Sequence, residues 1–559
     1  MFDAKRQVEK PTSVRSTASA FVNAGLKKSA ETTSGNGAMK YSTTGNPFVD
    51  QFGSIGLYKE PRSFADISAD CELLWATNKL LCVVFIFYLR IITRVVTLLN
   101  GISTKAVQKG AELKHEAIFR MLWLHIKAPQ TFWKNIGLFV SVGSWKDIFT
   151  MLQYDLMYGG WDGKALDWKR FGDLILTGLE NKNTSELVKK YLPTIKARSK
   201  CTTIESQSDT EIGKWICTLL FGAKMERTGS VNYAYKQYRQ LKSSGTAHTW
   251  QQLISQQKFD RIDFNKIHGR ALTLLVRGKF LVNHGLQDKY NAWIEKPETK
   301  VKYTGFVHEL FQVCEKYRTL VDMPKQEQQT INKQFETLVE KAGTKGVTKL
   351  LVARDISGSM DSEAYGIDMS SNDVAKAIAL FFSKFLTGPF ANSYVTFNNV
   401  TTMRQWMGDT PIEQWYNEQL ANSAGSTSFQ SIINLFCKIK RDGIPEVDFP
   451  TGILCISDGE FDKTDCGETN VRAALRTLTE AGFSREYIDN FVIVLWNIPN
   501  TFYGANRGVK FETFNPVPNV FYFGGYSASV ISFLSEKVKN ADELFMAAMD
   551  QEILNMIEL

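Results

Sequence analysis

The 559-residue chain has few histidines, no closely paired cysteines and no long uninterrupted apolar run. All six histidines lie before residue 346, so the last part of the chain has no histidine of its own to act as a base. No GxxxxGK[ST], HExxH or GxSxG motif occurs. The eight cysteines form no CxxC pair, which favours reduced thiols in a cytosolic protein. These absences argue against catalysis, and we predict that the chain is not an enzyme.

The N-terminal residues lack the apolar core of a secretory signal. The only candidate membrane segment is 80–99, which Arg90 and Arg94 interrupt. The uninterrupted apolar run before Arg90 is about half the length that spans a bilayer, so a buried core helix is predicted. We therefore expect no membrane partner and a cytoplasmic location, meaning the host cytoplasm or the virion if the chain is viral.

Charge is divided unevenly along the sequence. Residues 346–559 contain 16 Lys and Arg against 26 Asp and Glu, a net charge of −10. Residues 1–345 contain 50 basic and 32 acidic residues, a net charge of +18. A basic half indicates an anionic partner, although a solvated, lysine-rich helical surface explains the charge equally well.

The residue pattern divides the chain into five parts. Residues 1–35 are predicted to be a flexible arm because they contain few large apolar side chains. Residues 36–322 begin with turns and short extended pieces over Asn36–Gly53. They then show helical spacing of apolar residues, which predicts a solenoid-like, HEAT-like array of α-helices. Residues 323–346 form a polar connector helix, residues 347–541 an α/β domain, and residues 542–559 a C-terminal helix. Single helices are predicted over Phe264–Val282, Thr304–Tyr317 and Ala528–Val538.

Within 347–541, apolar strand-like runs alternate with amphipathic helical ones. Such alternation predicts a doubly wound, Rossmann-like parallel sheet covered by helices on both faces. The expected fold class is therefore α plus α/β.

The run LLVARDISGSMDS, Leu350–Ser362, ends an apolar strand in three oxygen-bearing side chains. Asp355, Ser357 and Ser359 are spaced by two residues and could meet at one hard cation, although DxSGS is also an ordinary Ser/Gly turn. Thr427 precedes a second helical pattern, where a helix N-cap is its alternative role. Asp458 ends another apolar run, and strand ends of this kind gather ligands in a doubly wound sheet.

These five residues resemble the metal-ion-dependent adhesion site of von Willebrand factor A (vWA) domains, written there as DxSxS with a distant Thr and Asp. The resemblance implies that Asp355, Ser357, Ser359, Thr427 and Asp458 bind a divalent cation with one coordination position open. Mg²⁺ is the expected ion, with Ca²⁺ and Mn²⁺ as alternatives. We interpret Glu460 and Asp462 as solvated loop charges, with tuning of the metal site as their alternative role.

An ordered set of helical motifs extends the resemblance over about residues 36–545. NGAMKYSTTGNPFVDQF, FIFYLR, KNIGLFVSVGSWKDIFTML, NHGLQDKYNAWI and ISDGEFD resemble the TROVE-type helical-repeat and vWA modules of Ro autoantigen-like proteins. The resemblance implies a ring of helical repeats closed by a vWA domain, with single-stranded RNA ends in the hole and structured RNA on the basic outer face. After FYLR this chain continues IITRVVTLLNG, where the family tends to carry further basic and glycine residues.

RNA binding requires cations for phosphates and flat side chains for unpaired bases. Any one of these basic residues, taken alone, is better explained as a solvated helix charge, so the prediction rests on the cluster and not on any single member. The predicted set is Lys189, Lys190, Lys196, Arg198, Lys200, Arg239, Lys242, Arg261, His268 and Arg270.

Two functions are compatible with these features. The first is a non-catalytic, Ro-like RNA-binding protein with a metal-binding vWA domain. The partner of this protein is RNA, either its single-stranded ends or a small structured RNA. The alternative is a metal-dependent scaffold, phage-encoded or virion-associated, in which the open metal position captures an acidic protein and RNA has no role.

Overall fold

The computed structural model describes residues 31–33, 39–41, 44–54, 62–92, 114–158, 166–245, 250–267, 269–303, 305–342, 349–364, 367–418, 425–464, 468–498, 519–526 and 540–559. These residues form two compact units. The helical unit contains the described residues of 62–293 together with 556–559. The sheet unit contains those of 31–54 and 294–555.

The helical unit is built from α-helices that pack mainly against their neighbours in sequence, as a helical array requires. Side-chain caps fix several of the helix starts, as when Ser63 and Asp66 form a reciprocal capping box at α2. The helices are α2 (Phe64–Thr77), α3 (Lys79–Ile92), α4 (Lys114–Lys127), α5 (Pro129–Val142), α6 (Trp145–Tyr158), α7 (Trp168–Glu180), α8 (Ser185–Tyr191), α9 (Ile204–Thr228), α10 (Val231–Ser244), α11 (Trp250–Ser255), α12 (Arg270–Arg277), α13 (Phe280–Asn283) and α14 (Gln287–Ile294). Short 3-10 turns lie at Arg198–Lys200, Phe259–Arg261 and Phe264–Lys266.

The predicted single helix over Phe264–Val282 is wrong. The structure has a 3-10 turn, then α12, then the short α13. Gly269 adopts φ +57°, a conformation outside the right-handed helix, and the backbone of Gly278 is extended. The spacing of apolar residues did not indicate either interruption of the helix, because that spacing continues across both glycines.

A six-stranded sheet forms the core of the sheet unit, in the order β5-β4-β3-β6-β7-β8. All neighbouring pairs are parallel except β4 with β5. Its strands are β3 (Leu350–Asp355), β4 (Ser393–Phe397), β5 (Thr401–Gln405), β6 (Gly452–Ser457), β7 (Val492–Asn497) and β8 (Val520–Gly524). A separate antiparallel pair consists of β1 (Glu31–Thr33) and β2 (Met39–Tyr41), and β1 falls within the arm predicted to be flexible.

Every residue of β3, β4 and β6 is buried, so helices cover both faces of the central strands. The adjacent strands β6 and β7 leave no room beside Gly452, where a Cβ would come within 2.0 Å of the Val492 carbonyl oxygen. The helices are α1 (Pro47–Ser54), α15 (Val307–Phe311), α16 (Lys325–Ala342), α17 (Ser371–Ser383), α18 (Pro411–Asn417), α19 (Phe429–Arg441), α20 (Asn470–Glu480), α21 (Arg485–Asn490) and α22 (Ala541–Met549). The 3-10 turns are Gln312–Lys316, Leu320–Asp322, Gly358–Asp361, Gly388–Phe390, Glu446–Asp448 and Leu554–Met556. The predicted fold class, a helical array followed by a doubly wound α/β domain, is confirmed.

Three smaller expectations differ from the structure. Asn36–Gly53, predicted as turns and short extended pieces, contains the short strand β2 but also the helix α1. The Phe48 N–H donates to Asn46 Oδ1 at 3.0 Å at the start of this helix. Thr304–Tyr317 is helical only at α15 and then continues as a 3-10 turn. The C-terminal helix ends at Met549.

The chain passes from the helical unit to the sheet unit at Ile294, whereas the sequence places the division near residue 322. Ala528–Val538 lies outside the described residues. None of the described helices is both long and apolar enough to cross a membrane.

Candidate functional site

The polar residues of the predicted metal site lie at the edge of the sheet where its winding reverses. The chain leaves β3 for β4 on one side, while β6 pairs with β3 on the other side. Asp355 is the last residue of β3, and Asp458 directly follows β6. Open parallel sheets form a ligand crevice outside the carboxyl ends of their strands at such a reversal. The two carboxylates therefore lie where a ligand site is expected.

A turn after β3 arranges two hydroxyl groups beside Asp355. The Ser357 N–H donates to Asp355 Oδ1 at 2.8 Å and folds the chain back at the strand end. The Oγ atoms of Ser357 and Ser359 then lie 3.3 Å apart. Neighbouring corners of an Mg²⁺ octahedron with bonds of about 2.1 Å are about 3 Å apart. The two hydroxyls thus have the spacing of adjacent ligands.

Asp355 is completely removed from solvent. Its Oδ2 accepts a hydrogen bond of 2.6 Å from Ser457 Oγ. Burial in the first place, and the negative charge of Asp458 in the second, raise the pKa of Asp355 to about 7. The negative charge of each carboxylate makes ionisation of the other less favourable. A cation that both carboxylates can approach stabilises the two negative charges together.

Backbone hydrogen bonds bring Thr427 to the same edge. Its carbonyl oxygen accepts the Asp462 N–H at 2.9 Å, on the loop that carries Asp458. The adjacent Ser428 donates its N–H to the Asn398 carbonyl oxygen, just after β4, at 3.2 Å. Ser428, not Thr427, is the N-cap residue of α19, and Thr427 itself is buried. All five predicted ligands therefore lie on three loops at one edge of the sheet.

Two residues that support the site were not assigned from the sequence. Ser457, the donor to Asp355, also accepts the Gly459 N–H at 3.1 Å, and Asn497 donates its Nδ2–H to the Asp458 carbonyl oxygen at 3.1 Å. Gly459 has φ +83°, and a Cβ there would come within 2.5 Å of Asn497 Nδ2. The turn after β6 consequently requires glycine. The signal was present in the ISDGEFD run, where Ser457 and Gly459 flank Asp458.

The interpretation of Glu460 as a solvated loop charge is wrong. Glu460 is only 6% exposed, and its N–H donates to Asp458 Oδ1 at 3.4 Å. Asp462 is half-buried. The turn that carries Asp458 therefore buries Glu460 two residues after the predicted ligand and holds it to Asp458 through its backbone.

The donor set suits a hard cation. Across the residues that the structure describes, no group of three or more His, Cys, Asp and Glu side chains is placed to hold a metal ion. The predicted site does not require such a group, because three of its five donors are hydroxyls. Carboxylate, hydroxyl and water oxygens suit Mg²⁺, Ca²⁺ or Mn²⁺, whereas Zn²⁺ takes nitrogen and sulfur ligands.

A buried ion network begins one residue before the first predicted ligand. Arg354 is 2% exposed and donates from Nη1 to both carboxylate oxygens of Glu418, at 2.6 and 2.7 Å. Its Nε and Nη2 donate to Asn372 Oδ1 at 3.0 and 2.5 Å. Tyr394 Oη donates to Glu418 at 2.6 Å, and Lys376 Nζ lies 3.1 Å from the same carboxylate. Burial alone would raise the pKa of Glu418, but Arg354, Lys376 and Tyr394 outweigh it and lower that pKa to about 2.

Most of the predicted RNA-binding residues of the helical unit lie on three segments that contact one another. Helix α8 packs against α10, and a Cβ at Gly245, just after α10, would lie 2.5 Å from the Lys189 Cβ. The Lys242 ammonium on α10 donates to the Leu192 carbonyl oxygen and to Thr194 Oγ1, which fixes the segment after α8. We call this set the α8–α10 cluster: Lys189, Lys190, Lys196, Lys200, Arg239 and Lys242.

The members of the cluster differ in exposure. Lys190, Lys196, Lys200 and Arg239 are exposed. Lys242 is half-buried, and this burial lowers its pKa although Asp209 opposes the shift. Lys242 is therefore suited to holding the cluster together, while the exposed members are suited to binding phosphates.

Of the remaining four predicted residues, only Arg261 has a described side chain. It is exposed on the separate turn Phe259–Arg261. His268 and the side chains of Arg198 and Arg270 lie outside the described residues. Six of the ten predicted residues thus lie on three segments that contact one another.

Comparisons with known proteins add a family match over part of the chain. A family model described as a domain of unknown function (DUF7788) matches residues 350–556, from β3 to the C-terminal 3-10 turn. No curated protein matches the sequence significantly.

Two solved structures show some similarity. The Ro (RSR) protein of Deinococcus radiodurans is 11% identical, with a TM-score of 0.35 over 90% of this chain and 99% of that protein. An aerotolerance-related membrane protein of Bacteroides fragilis is 19% identical, with a TM-score of 0.18 over 29% of this chain and 80% of that protein. At these values neither likeness supports a statement about function.

Proposed function

We propose that the chain is a non-catalytic RNA-binding protein whose helical unit binds RNA phosphates and whose sheet unit binds a divalent cation. The observation that supports RNA binding is the α8–α10 cluster. Its six basic residues lie on three segments that contact one another, namely α8, the segment after it and α10. The net charge of +18 in residues 1–345 and the ordered Ro-like sequence motifs support the same conclusion.

The cluster has the properties that phosphate binding requires. Four of its cations are exposed, and Lys190 Nζ lies 5.3 Å from the centroid of the Tyr191 ring, so an aromatic face accompanies the charge. Single-stranded nucleic acids bind to such combinations of basic groove and aromatic surface. Glu186 lies 3.0 Å from Lys189 Nζ and partly neutralises that member, so the exposed cations Lys190, Lys196 and Lys200 are the better ones to vary.

Fluorescence anisotropy with labelled single-stranded and hairpin RNA, over a series of salt concentrations, tests the proposal. Combined Lys190→Glu, Lys196→Glu and Lys200→Glu substitutions should weaken binding by about tenfold or more at low salt. The slope of log K against the logarithm of the salt concentration should become less negative by about 0.7 to 0.9 for every phosphate contact that is lost.

The matched control reverses three exposed cations of the sheet unit, Lys349→Glu, Lys438→Glu and Arg472→Glu. It changes the net charge equally and should leave RNA affinity within about threefold of the wild type at moderate salt, because these cations do not belong to the cluster and the effect of net charge alone is screened. RNA binding by neither wild type nor control, or equal losses in both triple variants, would contradict the proposal.

For the metal half, we propose that Asp355, Ser357, Ser359, Thr427 and Asp458 hold Mg²⁺. The support is the 3.3 Å separation of the two serine hydroxyls and the mutual repulsion of the two carboxylates. When bound, the ion would supply an open coordination position that accepts a carboxylate or phosphate oxygen. Ser457 and Asn497 would keep the two aspartates in place.

A second candidate function uses the same site without RNA. The position of the site at the carboxyl edge of the sheet favours capture of an acidic protein partner by the bound cation. This version predicts that a partner is recovered in Mg²⁺ but not in EDTA, and that Asp355→Ala prevents its recovery. RNA binding that persists in EDTA would show that the two activities use different surfaces.

A further inference from the structure

An exposed stack of aromatic rings lies away from the α8–α10 cluster in sequence, within the helical unit. Phe259 belongs to the 3-10 turn Phe259–Arg261, and His284 directly follows α13. Their ring centroids are 4.1 Å apart with an angle of 18° between the planes, which is a face-to-face stack. Phe280 contacts the same imidazole at 4.5 Å and 60°. His284 is exposed, whereas the two phenyl rings are half-buried.

Backbone hydrogen bonds at the end of α13 hold His284, which carries the imidazole, at a defined position. After α13 the Leu286 N–H donates to the Leu281 carbonyl oxygen at 2.8 Å, and the Gly285 N–H donates to that of Val282 at 3.2 Å. Gly285 has φ +65°, so these bonds form a Schellman motif with His284 at the helix end. The motif holds the backbone of His284 in place, and the ring contacts with Phe259 and Phe280 restrict the rotation of its side chain.

The opposite ring is fixed as well. Lys289 Nζ donates to the carbonyl oxygens of Asp260 and Ile262, each at 2.8 Å. The Ile262 N–H in turn donates to the Phe259 carbonyl oxygen at 3.1 Å. The stacked pair is therefore preorganised, which lowers the entropic cost of adding a third ring.

The stack lies among cations. Lys258 and Lys279 directly precede the two phenylalanines, Arg261 ends the 3-10 turn, and all three are exposed. Residues 258–289 carry seven Lys and Arg against three Asp and Glu, one of which is the exposed Asp260. A solvent-facing ring within a positive surface is the arrangement that binds unpaired bases of single-stranded nucleic acid.

We infer that His284, supported by Phe259 and Phe280, is a stacking platform for an unpaired base of single-stranded RNA. The inference rests on the RNA binding proposed above and adds the strand type that this part of the helical unit recognises. A hairpin stem keeps its bases stacked within the duplex, so the platform contributes only to single-stranded RNA.

The test uses the full chain and an unstructured oligoribonucleotide that carries 2-aminopurine, whose fluorescence falls when the base stacks. The wild type should quench this fluorescence on binding. His284→Ala should abolish the quench and weaken single-strand binding by about five- to 150-fold, the range that the loss of one base–aromatic stack produces. Binding of a hairpin with a minimal loop should stay within about twofold.

Two controls separate stacking from damage to the fold. His284→Phe keeps a ring on the platform and should retain the quench and the affinity to within about threefold. Leu274→Ala removes an apolar side chain that is 67% exposed in the same unit, and it should change neither quantity.

The outcomes distinguish this inference from the function on which it rests. Unchanged quench and single-strand affinity in His284→Ala, or equal losses for single strand and hairpin, overturn the platform and leave RNA binding standing. A wild type that binds neither RNA overturns both.

Discussion

The candidate metal site with its neighbouring ion network and the α8–α10 cluster carry their charged groups in opposite ways. In the sheet unit, Asp355 has no exposed surface and Arg354 has 2%, and both are held by several hydrogen bonds. In the helical unit, the cations of the α8–α10 cluster are mostly exposed. A buried charge must be satisfied by partners within hydrogen-bonding distance, while exposed charges act through their summed field. Single substitutions should therefore have large effects in the sheet unit and small ones on the cluster.

The most complete effect is expected at the proposed metal site, where one substitution should abolish the response to Mg²⁺. MgCl₂ at about a hundredfold over its Kd should stabilise the wild type by about 2.7 kcal/mol, and Asp355→Ala should abolish this stabilisation. Isothermal titration calorimetry and thermal unfolding with and without Mg²⁺ measure it. Asp409→Ala, which removes an exposed carboxylate from the same unit, is the control and should keep the full stabilisation. A Mg²⁺-dependent increase in Tm that survives in Asp355→Ala would show that the ion binds elsewhere.

The largest change in the free energy of unfolding is expected in the ion network that begins at Arg354. Arg354→Met leaves the buried Glu418 without its main partner and should cost about 3–5 kcal/mol of unfolding free energy. The double variant Arg354→Met with Glu418→Leu should recover much of this loss, because it removes both charges together. Urea denaturation of the wild type, the two single variants and the double variant gives the coupling free energy between the two side chains. If the losses of the two single variants simply added up in the double variant, the two side chains would not act as a pair.

Acid should weaken the same network. The pKa of Glu418 is about 2 in the folded chain and ordinarily 4.5, so the folded state favours its charged form. This contribution to stability is complete above about pH 4.5 and is lost as the pH falls from about 4.5 towards 2. The stability advantage of the wild type over Glu418→Gln, followed by urea denaturation across that range, should shrink as the pH falls. An advantage that is constant with pH would mean that the charge of Glu418 is not what stabilises the fold.

The smallest effect is expected for one member of the cluster. Lys200→Ala should weaken RNA binding by less than about fivefold at moderate salt and reduce the salt slope by the equivalent of about one phosphate. Anisotropy titrations at several salt concentrations measure both values. Complete loss of binding on this single change would show that the surface works through one specific interaction.

The sheet could be predicted closely because each of its central strands is apolar almost throughout. The predicted apolar runs that end at Asp355 and Asp458 correspond to β3, which ends at Asp355, and β6, which ends at Ser457. The helical region was harder, since apolar spacing continues through glycines that end a helix, as at Gly269 and Gly278. Local spacing therefore identifies helices more reliably than it identifies their ends.

The candidate site shows a similar limit. The ligand set could be recognised because its spacing is local at Asp355, Ser357 and Ser359. The pairing of Arg354 with Glu418 joins residues 64 positions apart, and the stack of Phe259 on His284 also depends on tertiary folding. An arginine inside the apolar run LLVARD was the only local sign that a buried carboxylate must lie nearby.

The central claim is that RNA binding belongs to the helical unit and metal binding to the sheet unit. The most direct test titrates one labelled single-stranded RNA against the wild type, Asp355→Ala and the triple variant Lys190→Glu, Lys196→Glu and Lys200→Glu, each in Mg²⁺ and in EDTA. The account predicts that Asp355→Ala binds RNA as the wild type does in both conditions, while the triple variant loses about tenfold or more in both. Loss of RNA binding in Asp355→Ala or in EDTA, with the triple variant unaffected, would contradict it.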